Sequence, residues 1–197
     1  MVIRKEFRVE SAHVVRNCTS DRCSHSVHGH SAVIEVMLEG DKLDNAGMLY
    51  DFGLMKGTVK QFIDSSDHCM LIWNKDKWEY KDFFKQENDR WIELPFNPSA
   101  EQLCMFYHVF IQYILDHTVT VNGEDTHLKV KGVRYHETTT GWAECNEKDI
   151  KKLWKKNWFN EVTFSPGVTN DWSQDLLDII FNEVTIDNPI VKQQVVE

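Results

Sequence analysis

From Ile3 to Val14 the chain alternates: Ile3, Lys5, Phe7, Val9, Ser11 and His13 fall on one side, Arg4, Glu6, Arg8 and Glu10 on the other. A period of two is the signature of a half-buried strand. After a polar loop, RNCTSDRCSHS, the same period returns from about Val27 to Leu38 and groups His28, His30, Ala32, Ile34, Val36 and Leu38. GDKLDNAG then carries turn chemistry. From Gly53 to Ile63 the period lengthens, with Leu54, Met55, Val59, Phe62 and Ile63 at helical spacing and Asp51 placed to cap. NPSAEQL announces a longer helix: Asn97 or Ser99 can cap, Pro98 suits the first turn, and Glu101 sets a carboxylate near the positive end. Its stripe is Leu103, Phe106, Phe110 and Ile114, ending near His117; two strands, HLKVKGVRYHET and GWAEC, follow with a short connection around Thr139 and Thr140.

The order strand, strand, helix, helix, strand, strand predicts an α+β fold, a four-stranded antiparallel sheet with two helices on one face, over residues 1–146. Residues 147–197 read as a helical C-terminal extension packed on this domain or on a neighbouring subunit. KKLWKKNWF is basic and tryptophan-rich, SPGVTND reads as loop, and DWSQDLLDIIFNEV has the pattern of a short amphipathic helix.

Composition narrows the partners. With 42% hydrophobic residues in 197, there is enough apolar material for a real core. A net charge of -9, from 31 acidic against 22 basic residues, argues against nucleic acid and against a membrane surface, both of which need clustered Lys and Arg. It does not exclude a small anionic ligand held by a few local donors. No apolar stretch is long enough to span a bilayer, and MVIRKEFRVE lacks the apolar centre of a signal peptide. Five cysteines, Cys18, Cys23, Cys69, Cys104 and Cys145, form an odd set without framework spacing, as expected of reduced thiols in the cytoplasm.

The strongest chemical signal is His28-Gly29-His30. On a strand, residues two apart project from the same face, so the two imidazoles form half of a metal site. His13, at the end of the preceding strand, can supply a third ligand, and three histidines leave one tetrahedral position open, the catalytic pattern for zinc. A paired HxH also occurs among ordinary core or surface histidines. A closed structural site from Cys18, Cys23, His25 and His28 is a second arrangement, though its CxxxxC gap is looser than usual. Cys23, with Cys18 as competitor, can serve as a general base if a nearby cation lowers its thiol pKa. Asp67-His68 reads either as a turn after a helix or as a carboxylate orienting a proton-transferring imidazole. Glu137, ending a strand in HETTTG, is either a solvated strand end or a carboxylate that accepts paired N–H groups from a guanine-like ring.

Taken in order, SAH, a loop cysteine, HGH, YDF and a helix, DH, NPSAEQ and HET resemble the 6-pyruvoyl-tetrahydropterin synthase family over roughly residues 1–146. That family includes the 6-carboxy-tetrahydropterin synthases of queuosine (7-deazaguanine) biosynthesis, which this chain is most similar to in layout. The resemblance implies the tunnelling fold, commonly a homo-hexamer with active sites between subunits. It implies Zn2+ on His13, His28 and His30, Cys23 as base, Asp67 and His68 as the second proton-transfer group, and Glu137 as the anchor of a pterin substrate. The implied reaction converts 7,8-dihydroneopterin triphosphate to 6-carboxy-5,6,7,8-tetrahydropterin, acetaldehyde and triphosphate. The alternatives are the pyruvoyl-forming elimination and a non-catalytic, zinc-stabilised pterin-binding protein. Cys23 stands five residues before His28, where family members place the cysteine four or six before it.

Overall fold

The computed structural model describes residues 1–120, 122–123 and 125–188. Strands β1 (Val2–His13) and β2 (His28–Glu39) form its longest ladder, antiparallel, with Val2 opposite Glu39 and His13 opposite His28. A five-residue helix, α1 (Asp21–His25), sits in their connection. Then come α2 (Thr58–Asp64), β3 (Cys69–Trp73), α3 (Trp78–Glu87), β4 (Trp91–Leu94) and α4 (Ala100–Asp116), followed by β5 (Thr118–Val119), β6 (Lys129–His136) and β7 (Trp142–Asn146). The remainder forms α5 (Glu147–Leu153), α6 (Trp158–Glu161), β8 (Thr163–Phe164), α7 (Pro166–Thr169), α8 (Gln174–Asn182) and β9 (Ile186–Asp187).

The four expected antiparallel strands lie side by side in the order β7-β6-β2-β1. The sheet does not stop there. β3 and β4 continue it in parallel and β8 closes it antiparallel, giving seven strands and a mixed sheet. The additional strands give little alternation to read: β3 is CMLIW, of which Cys69 to Ile72 are all buried, and β4 alternates over only four residues. A strand covered on both faces reads as a plain apolar run.

The alternation of β1 and β2 does place their core. Phe7, Val9, Ala32, Ile34, Val36 and Leu38 are buried, while Arg4, Glu6, Arg8 and Glu10 lie outside. Helix α4 packs over β6 and β7, and α2 packs against β1. Ser99 caps α4, its hydroxyl accepting from the Gln102 N–H. The helix expected from Gly53 is broken at Gly57 into a 3-10 turn, Leu54–Lys56, and α2; the Asp51 carboxylate accepts from the Gly53 N–H at 2.6 Å.

Burial of α4 is wider than a single stripe, including Cys104, Met105, Tyr107, His108 and Ile111. The reason is that α5 and α8 touch α4 in addition to the sheet. Trp158, Val168, Trp172, Leu176 and Ile179 belong to the same buried cluster as Phe62 and Phe110, and Phe159 stacks on Phe110 with centroids 4.2 Å apart. SPGVTND holds α7 rather than an open loop, with Pro166 at its first turn. The Trp172 indole N–H donates to the Ser65 hydroxyl at 2.7 Å. Trp172→Ala is therefore expected to cost about 3–5 kcal/mol in urea unfolding, the range for truncating a buried large aromatic. A loss under about 1 kcal/mol would show that residues beyond β7 do not unfold with the rest.

Candidate metal centre and its surroundings

The centre is built by the register of two strands. His13 pairs directly with His28, and Ser11 pairs with His30, so all three imidazoles emerge on one face at the β1–β2 end. Their ring centroids lie 4.6 Å (His13–His28), 5.2 Å (His13–His30) and 5.2 Å (His28–His30) apart. One ligand nitrogen from each falls within 4.8 Å of the others, a spacing that suits one metal ion. Gly29 faces the other way; a Cβ there would stand 3.1 Å from the Ser11 carbonyl oxygen, so the spacer is held small by its neighbouring strand.

Which nitrogens face the centre follows from the hydrogen bonds. His28 Nδ1 lies 3.0 Å from the Ser26 carbonyl, which fixes the proton on Nδ1 and leaves Nε2 free to bind. The His13 ring bonds the backbone of Pro98, which has only a carbonyl to offer, so the ring donates. Nε2 of His13 and Nε2 of His30 are buried and make no hydrogen bond. Buried nitrogens without partners cost free energy unless something else satisfies them, and a metal ion does so. Burial, helped by His28 and His30 nearby, pulls the His13 pKa down from 6.5 to about 4. Its ring is thus neutral, the ligand form, throughout the neutral range.

Glu137 joins this group. It follows the last residue of β6 in a tight turn, its N–H donating to the Gly141 carbonyl at 3.2 Å. Its Oε1 lies 3.6 Å from His13 Nε2 and 3.7 Å from His30 Nε2. Asp67 and His68 are also paired: His68 Nδ1 is 2.9 Å from Asp67 Oδ2. Neighbours in sequence meet this way because His68 has φ +52°, which turns its ring back over the preceding side chain. The pair is tied to β1, with the Glu10 N–H donating to Asp67 Oδ1 at 2.7 Å and the His68 N–H to the Glu10 carbonyl at 2.6 Å. Burial opposes the charge on Asp67, but the Glu10 N–H, His68 and Arg90 outweigh it and hold the carboxyl below its usual range. His68 and His30 line one cleft of about 440 Å³ together with Met70, Phe84 and Asn88.

Cys23 is half-buried in α1 and lies outside the lining of that cleft. The closed Cys/His arrangement is not assembled. Among the described residues the metal-spaced group is His13, His28 and His30; the Cys18 thiol donates to the Ser20 carbonyl, and His25 Nδ1 meets the Ser24 hydroxyl at 2.8 Å. Two supporting residues carry signals in the sequence for other roles than the ones they fill. Pro98 orients His13, and Asn97, instead of capping α4, binds the backbone of Arg16 by accepting from its N–H at 3.0 Å.

Residues 2–148 match the family model described as 6-pyruvoyl tetrahydropterin synthase. A 6-carboxy-5,6,7,8-tetrahydropterin synthase of Helicobacter pylori is 39% identical over 174 residues, covering 87% of this chain and 86% of that protein. A protein of the same name from Aquifex aeolicus is 32% identical over 162 residues, 74% of this chain and 98% of its own length. Among solved structures, an uncharacterized protein of Wolinella succinogenes superposes with a TM-score of 0.60 at 20% identity, covering 75% of this chain and 98% of that one. The 6-pyruvoyl tetrahydropterin synthase of Caenorhabditis elegans gives 0.51 at 20% identity, covering 74% and 94%. These two structures share the fold.

Two buried histidines set an acid limit on the metal-free chain. Burial also lowers His108 in α4 from 6.5 to about 4. Unfolding returns both rings to their ordinary value, so below pH 6.5 the unfolded chain binds more protons than the folded one. Stability is expected to be flat above pH 7 and to fall between pH 6.5 and 4 in urea titrations. His108→Gln should flatten part of that fall, and an unchanged slope would show that His108 takes up its proton without unfolding.

Proposed function

Because the chain belongs to the 6-pyruvoyl tetrahydropterin synthase family, we propose that it is a zinc-dependent lyase that forms 6-carboxy-5,6,7,8-tetrahydropterin, acetaldehyde and triphosphate from 7,8-dihydroneopterin triphosphate and one water, toward queuosine precursors. The observation that carries the reading is the triangle of His13, His28 and His30 with its buried, unpartnered nitrogens. The choice of product is supported by the name shared by the Helicobacter and Aquifex relatives.

Zinc on three imidazoles would act as a Lewis acid toward the side-chain hydroxyls of the substrate. The chain's own groups divide the remaining work. Glu137 would accept two N–H groups of the pterin ring and hold the side chain toward the histidines. His68 would move a proton with its Nε2 while Asp67 holds Nδ1 and stabilises the imidazolium. Cys23, as thiolate, would take the proton at the carbon next to the ring. Residues 147–188 are read as an extension of the 1–146 unit within the same subunit; 189–197, the rest of the expected extension, lie outside the described residues. A homo-oligomer is supported by the outer edge of β7, which pairs with no strand among the described residues.

The family model's own description favours a second product, the pyruvoyl pterin, formed by losing triphosphate while keeping the carbon skeleton. One experiment separates them. Zinc-loaded protein is incubated with dihydroneopterin triphosphate without oxygen, and the products are identified by mass spectrometry. The carboxylated pterin with acetaldehyde is expected; pyruvoyl pterin would move the chain to the other reaction, and unconverted substrate would leave a binding protein. Cys23→Ala should keep its zinc and lose about 10²–10⁴-fold in turnover, the usual worth of a general base. Unaltered turnover would remove Cys23 from the scheme.

A further inference from the structure

The excursion between β1 and β2 carries Cys23 but has little structure of its own. Helix α1 has five residues, far too few to be stable alone, and its last carbonyls need outside partners. They find them on the chain that has just left His13. The Val15 N–H donates to the Cys23 carbonyl at 2.9 Å, and Arg16 Nη1 donates to the Ser24 carbonyl at 2.8 Å.

Arg16 is itself fixed from every side. Its Nε donates to Asp76 Oδ2 at 2.8 Å, with the Asp76 side chain 6% exposed, and its guanidinium lies over the Tyr80 ring, 4.7 Å from the centroid. Its backbone is gripped by Asn97, which accepts from the Arg16 N–H and donates to the Arg16 carbonyl. The next residue, Pro98, takes the hydrogen bond of His13. Arg16 therefore joins three parts: its guanidinium ties the Cys23 helix to the turn at Asp76, and its backbone is held by the segment that orients a metal-site histidine.

We infer that Arg16 is a positioning residue: it holds α1 against the end of β1 so that Cys23 is presented to the metal centre. The inference rests on the proposed role of Cys23. It uses the forked donor set of arginine, since a lysine could serve the Ser24 carbonyl or Asp76 but not both while lying flat on Tyr80.

The test uses the full zinc-loaded chain and reads the loop and the chemistry separately. In Arg16→Ala, amide exchange over residues 14–27 should accelerate, because its protection depends on these bonds. Turnover number should fall about 10–100-fold, as for other residues that orient a site, with KM and bound zinc unchanged. Arg16→Lys should restore little. Millimolar guanidinium should restore part of the turnover to Arg16→Ala and none to Cys23→Ala. If Arg16→Ala folds poorly, Asp76→Asn should loosen the same segment to a smaller degree. Unchanged exchange in both variants would overturn the inference. So would a loosened loop with unchanged turnover while Cys23→Ala is inactive. If Cys23→Ala is itself fully active, the base assignment fails on its own, and the exchange result alone then decides whether Arg16 clamps α1.

Discussion

The structure depends on the register between β1 and β2. Pairing His13 with His28 and Ser11 with His30 brings three imidazoles to one face and, by the same alignment, sends Phe7, Val9, Ala32, Ile34, Val36 and Leu38 into the core. A slip by one residue would turn every side chain of one strand to the other face. Apolar burial over the length of the ladder therefore fixes the position of the histidines at its end. The centre needs no separate device to hold its spacing, because the energy that folds the sheet already sets it.

What the sheet cannot set is the direction of each ring, and the loops do that. Ser26 and Pro98 supply carbonyls to His28 and His13, and the lone pairs are left aimed at a common point. Nε2 of His13 and Nε2 of His30 are buried and make no hydrogen bond. An unsatisfied buried polar atom costs about 1–3 kcal/mol, so the fold carries this cost at the centre and is repaid when a ligand arrives. Tyr107 shows the opposite treatment: it is equally buried, and its hydroxyl meets the Ser66 hydroxyl.

The parts legible in the sequence are those with a local period or a local cap. The alternation of β1 and β2, the HGH pair and the Ser99 cap follow from spacing alone. β3 escaped because a strand buried on both faces loses its alternation, β4 because four residues are too few for one to register, and α3, with no fully buried residue, offers no core stripe. The contacts of Arg16 are invisible for a different reason: Asp76 lies 60 and Asn97 lies 81 positions along the chain. Nothing local distinguishes such an arginine from a solvated one. Asn97 illustrates the ambiguity of a good signal, since its side chain has the chemistry of a cap and serves another backbone instead.

One short segment serves two masters. Asn97, Pro98 and Ser99 grip Arg16, orient His13 and start α4, the helix at the centre of the core. The thermal robustness of the molecule and the donor strength of its metal ring are thus tied to the same three residues. A lineage adapting to a hotter niche could not rework the beginning of this helix without also retuning its chemistry, so adaptation would have to proceed elsewhere, on surfaces where the two properties are independent.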